Sequence, residues 1–142
     1  MQCELPENPS SPDEIRGILE NYRVIAVVGL SPKPDRPSHR VSAYMQEQGY
    51  RIIPVHPIAE EILGEKAWPS LEAIPAEEGV EIVNLFRPPD KVPPHVEEAI
   101  RIKAKVVWMQ EGIVNNEAAK RAKEAGLEVV QGRCLLKEHK LL

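Results

Sequence analysis

Residues 24–28, Val-Ile-Ala-Val-Val, form an unbroken apolar run that stops at Gly29. A run this short, apolar at every position, predicts a strand buried on both faces, and such strands belong to parallel sheets with helices on either side. Further strand-like segments, mostly apolar, lie at 51–55, 80–86, 106–109 and 127–130, and Gly64-Glu65-Lys66-Ala67-Trp68 is expected to form a small third strand. Helical signals fall between them. Ser11-Pro12-Asp13-Glu14 combines an N-cap serine, an early proline and a glutamate three residues after the cap, so a helix follows with Ile15, Ile18, Leu19 and Tyr22 as its apolar face. A second helix is expected from about 38 to 48, capped by Ser38 and ended by Gly49. A third opens at Pro93-Pro94 and runs to about 102, and a fourth runs from Asn115 or Asn116 to Gly126. Shorter helical patches are expected after Pro57 and over 70–74.

This alternation specifies an α/β chain: a single Rossmann-like domain with a mostly parallel sheet of five to six strands and helices on both faces. With the predicted strands numbered along the chain, the expected order is 3-2-1-4-5, the sixth beside the fifth. At 142 residues the chain accommodates one such domain over 11–142, preceded by a loose, proline-containing lead-in over 1–10. The formal net charge of −4 provides no global basis for nucleic-acid binding. Cys3 and Cys134 stand far apart with no zinc-ligand spacing, and neither a signal peptide nor a membrane-length apolar run is evident. A cytoplasmic protein without membrane or nucleic-acid partners is expected. Any protein partner stays open.

In an open parallel sheet the ligand lies beyond the carboxyl ends of the strands, where the strand order reverses. After the first strand that edge carries Gly29, Leu30, Ser31, Lys33, Arg36 and Ser38; after the second, Val55, His56 and Pro57; after the fourth, Phe86 and Arg87; after the fifth, Gln110, followed by Glu111 and Gly112. Lys33, Arg36 and Arg40 face only Asp35 in the first loop, so the charge there is locally basic. A basic loop leading into a helix start selects a phosphate-bearing ligand. The Gly-x-Gly-x-x-Gly fingerprint is absent, and the second strand ends in Val55-His56-Pro57 rather than in a ribose-binding acid. Both features disfavour NAD. Gly29 is expected to admit close backbone approach by the ligand, Phe86 and Arg87 to cover it, and Trp108 to belong to the core. Cys134, His139 and His95 form no nucleophile–base arrangement, and the adjacent glutamate pairs read as solvated faces.

Five ordered blocks, Val-Val-Gly-Leu-Ser…Arg-Pro-Ser (27–38), Gly-Tyr-Arg-Ile-Ile-Pro-Val-His-Pro (49–57), Phe-Arg-Pro-Pro-Asp (86–90), Val-Val-Trp-Met-Gln-Glu-Gly-Ile (106–113) and Gly-Arg-Cys (132–134), resemble the small stand-alone CoA-binding proteins. That family is related to the N-terminal domain of the succinyl-CoA synthetase α subunit. The resemblance implies coenzyme A or an acyl-CoA as ligand, held by the loop after the first strand and by the ends of the second and fourth. His56 departs from the family's usual asparagine, and Gly132 from a common acidic residue. Nothing in the matching blocks carries the synthetases' phosphorylated histidine or ATP-grasp module, so a binding, carrier or regulatory module is expected. The alternatives are a small enzyme acting on a CoA ester or nucleotide cofactor, and an interaction protein with vestigial ligand binding.

Overall fold

The computed structural model describes residues 5–142. Its centre is a five-stranded, wholly parallel sheet made of β1 (Val24–Val28), β2 (Arg51–Val55), β5 (Ile82–Leu85), β6 (Val106–Met109) and β7 (Glu128–Val130), in the order β2-β1-β5-β6-β7. Alternate residues of each strand point to opposite faces. Ile25, Val27, Ile82, Val106 and Trp108 therefore build one core layer with α1 (Pro12–Asn21), α2 (Pro37–Glu47) and α5 (Leu135–Lys140). Ala26, Val28, Val83, Leu85, Val107 and Met109 build the other with α3 (Val92–Arg101) and α4 (Asn116–Glu124). Burial on both faces explains why the strands read as continuous apolar runs.

The capping box at Ser11 forms: its hydroxyl accepts from the Glu14 N–H, and the Glu14 carboxylate accepts from the Ser11 N–H. Asn115 caps α4 by accepting from the Ala118 N–H. Three expectations need correction. The segment 64–68 is not a full third strand, because Leu63 and Gly64 both adopt positive φ (57° and 74°) and turn the chain into a hairpin of β3 (Glu61–Ile62) and β4 (Glu65–Lys66). Only Trp68 pairs with β2, as a single parallel bridge to Val55: its N–H donates to the Pro54 carbonyl and its carbonyl accepts from the His56 N–H, both at 2.9 Å. The expected order thus holds for the neighbours of β1 and beyond, while its outermost strand shrinks to one bridge.

Second, Ser38 does not cap α2. The chain is already helical at Pro37, a favoured first position, so Arg36 stands at the cap and Ser38 lies inside the first turn. Third, residues 70–74 form turns rather than a helix, with the Ala73 N–H donating to the Ser70 hydroxyl at 3.2 Å. Helix α5 follows Gly132-Arg133-Cys134 and was not foreseen, being too short to show periodicity.

Candidate functional site

The loop from Gly29 to Pro37 is built from local hydrogen bonds before any ligand is considered. The Ser31 N–H donates to Ser38 Oγ at 2.9 Å, and the Lys33 N–H donates to Ser31 Oγ at 3.1 Å. His39 Nδ1 donates to the Ser31 carbonyl at 2.9 Å, Arg36 N–H to the Lys33 carbonyl at 3.1 Å, and the Arg40 guanidinium to the Asp35 carbonyl. Each serine hydroxyl accepts within the loop and so keeps its own proton to donate outward. No side chain caps α2 at Arg36, and its first turn holds no acidic residue, so the positive end of the helix faces the same side.

Ser31, Lys33, Arg36, Pro37, Ser38 and Phe86 line a cleft of about 380 Å³. It brings together two hydroxyls, two cations and a helix start, which is a donor set for an anion. Phe86 is half-buried against the core layer of α2 and forms the apolar wall of the cleft.

Gly29 holds this arrangement from beneath. Its φ is +84°, and a Cβ there would stand 2.4 Å from the Phe86 carbonyl oxygen and 3.4 Å from Arg87 Cδ. The close approach it permits is therefore to the backbone of the neighbouring strand end. Arg87, exposed at the end of β5, brings its Cδ beside Gly29. The Gly29 N–H donates to the Val55 carbonyl at 3.3 Å, which ties the loop to the end of β2.

The other sequence candidates divide by burial. Leu30 is 0% exposed and Val55 is buried, so their side chains are core and only their backbones reach the edge. Gln110 is 2% exposed, and its amide meets that of Asn84 at 2.9 Å. With the Gln110 amide turned over, its Oε1 accepts from the Leu135 N–H (3.2 Å) and Trp108 Nε1 (3.3 Å). Gln110 thus packs the sheet beneath the edge, while Glu111 and Gly112 are exposed. Trp108 is fully buried, as expected, with Nε1 also 2.7 Å from the Arg133 carbonyl.

His56 does what an asparagine would do at a turn. Its Nδ1 accepts from the N–H groups of Ile58 (3.1 Å) and Ala59 (2.8 Å), which fixes the proton on Nε2 and shapes the loop after β2. Pro57 is exposed beside it. Sequence reasoning gave no role to His39, although it anchors Ser31, and gave Asn115 only its capping role, whereas its Nδ2 also donates to the Pro89 carbonyl at 3.0 Å and joins the loops after β5 and β6. Polar side chains beside a helix start and at a cap were the available signals. Among the described residues no group of three His, Cys, Asp or Glu side chains could hold a metal ion, and no helix is long and apolar enough to cross a membrane.

The CoA binding domain family matches this chain over residues 23–140. The chain belongs to that family. The uncharacterized protein YneT of Bacillus subtilis (strain 168) is 46% identical over 133 residues, covering 94% of this chain and 96% of its own. A hypothetical protein from Pyrococcus horikoshii OT3 superposes with a TM-score of 0.90 at 44% identity, over 100% of this chain and 99% of that one. The dinucleotide forming acetyl-coenzyme A synthetase 1 of Ca. Korarchaeum cryptofilum shares the fold, with a TM-score of 0.66 at 22% identity over 79% of this chain and 27% of that one. The close matches span nearly the whole of both chains, so the Rossmann-like α/β domain is a unit common to all of them.

Proposed function

We propose that this protein binds coenzyme A or an acyl-CoA at the carboxyl edge of the sheet, as a binding, carrier or regulatory module. The observation that carries this reading is the donor set of the first loop. Ser31, Lys33, Arg36 and Ser38 converge on one cleft at the uncapped start of α2, and the loop that holds them is tied down by His39, Arg40 and Gly29. A pyrophosphate is the part of CoA that such a set would hold, with Arg87 at the crevice and Phe86 as the apolar wall. Membership of the CoA binding domain family supports the ligand class. Two thiol- or imidazole-bearing residues that would serve a catalyst are otherwise engaged: His39 is bonded to the loop backbone, and Cys134 is buried in the core at 8% exposure.

Isothermal titration with CoA and acetyl-CoA, on wild type and Arg36→Ala, tests the reading. Arg36 is exposed and has no side-chain role in capping α2, so its removal leaves the fold intact. The expected loss is that of one charge-assisted hydrogen bond, about 1.5 kcal/mol or about tenfold in Kd, with an unchanged melting temperature. No CoA binding by wild type refutes the proposal, and equal affinity in the variant removes Arg36 from the site.

A further inference from the structure

Beyond the carboxyl end of β2 lies a second groove, of about 610 Å³, lined by Pro57, Ile58, Glu60, Glu61, Lys66 and Pro69 among others. It begins where His56 shapes the chain, and the Gly29–Val55 hydrogen bond joins the start of the phosphate loop to the same strand end. In a sheet of this kind a nucleotide whose diphosphate lies at the first helix start extends its adenosine toward the end of the second strand. The groove suits the flat, apolar part of an adenosine: Ile58 is 85% exposed, an unusual position for a branched apolar side chain, and two prolines flank it.

Its charge is wrong for a ribose phosphate. Glu60 and Glu61 are both exposed at the groove, and the cation facing them, Lys66, holds its Nζ 4.2 Å over the Trp68 ring. His56 Nδ1 is occupied by two backbone donors, which leaves Nε2 as the ring atom open to a ligand. Carboxylates pair with ribose hydroxyls, whereas a ribose phosphate calls for arginine or lysine. On the reading that the protein is a CoA binder, we infer that its adenosine groove recognises an unphosphorylated ribose, so that the 3′-phosphate of CoA adds nothing to affinity and adenosine diphosphate esters lacking it, such as dephospho-CoA, are accepted at least as well.

The experiment is a titration of the full chain with CoA and with dephospho-CoA, repeated in the double variant Glu60→Gln/Glu61→Gln. Both sites are exposed and Glu60 contributes only its backbone carbonyl to the fold, so the variant is expected to fold normally, which a thermal melt checks. Wild type should bind dephospho-CoA as tightly as CoA or more tightly. Removing two carboxylates from a solvent-exposed groove should improve CoA relative to dephospho-CoA by about threefold or more at low salt, with the change shrinking at high salt. CoA binding more than threefold tighter in wild type, or an unchanged ratio in the double variant, overturns the inference while leaving CoA binding intact. If neither nucleotide binds, the CoA reading itself fails and this inference falls with it.

Discussion

Replacing Gly29 with alanine should cost this domain a large share of its stability, for two reasons that can be separated. The residue has φ of +84°, where a side chain costs about 1–2 kcal/mol. The new Cβ would also stand 2.4 Å from the Phe86 carbonyl oxygen, a distance that real Cβ contacts do not show. That carbonyl is fixed, since the Phe86 N–H donates to the Val28 carbonyl at 2.9 Å and extends the β1–β5 ladder. Relief requires the strand ends to part, with a packing cost of about 1–3 kcal/mol and about 1 kcal/mol more for a weakened hydrogen bond. The sum is about 4 kcal/mol, against a typical total of about 5–15 kcal/mol, and corresponds to a fall of roughly 12 °C in Tm for a chain of this length. Gly49→Ala is the control: its φ is +93°, and a Cβ there meets nothing within 4 Å, so only the conformational cost of about 1 kcal/mol applies. Urea unfolding followed by tryptophan fluorescence gives both values, Trp108 being fully buried. If the two variants lose the same stability, the contact with Phe86 is not what demands glycine at 29.

Tyr50 is buried and donates its hydroxyl to the Leu19 carbonyl at 2.5 Å; burial raises its phenol above the ordinary value of about 10, with the Arg23 guanidinium opposing the rise. A raised folded-state value means that the associated stability is complete below about pH 10 and is lost as pH climbs through the raised value, so urea midpoints should fall as pH rises above about 10, and less steeply in Tyr50→Phe. An equal slope in the variant would assign the alkaline loss to other groups. Cys134, packed in the core layer of α5, should resist CoA disulfide in the folded state and react in denaturant. Intact mass of a Cys3→Ser variant reads this directly, since Cys3 lies outside the described residues, and a CoA adduct formed under native conditions would show that the thiol is reachable.

How far the sequence could be read depended on the distance along the chain over which each feature is decided. The strands at 24–28, 51–55 and 106–109 emerge with the expected limits because burial on both faces is written into nearly all of their residues, with Arg51 exposed and Val24 partly buried at the strand starts. The basic loop was legible for the same reason, since its serines, cations and helix start lie within ten residues of one another. The segment 64–68 does not form the expected strand because the residue types there do not reveal the sign of φ: Leu63 and Gly64 take positive φ, and the hairpin they make consumes Glu65 and Lys66. Gln110 and His56 show a different limit, since residue type does not reveal which way a polar side chain turns. Both stand at strand ends where ligand contacts belong, yet the Gln110 side chain turns inward to Asn84, 26 residues away, while His56 Nδ1 turns back on Ile58 and Ala59. For Gln110 the competing partner is the buried amide of Asn84, and leaving a buried polar group unpaired costs about 1–3 kcal/mol, so Asn84 claims the side chain first. His56 instead serves the backbone of its own exposed turn. The groups at this edge that no buried group requires are the exposed cations Lys33, Arg36 and Arg87, and the Nε2 that His56 keeps after serving its own loop.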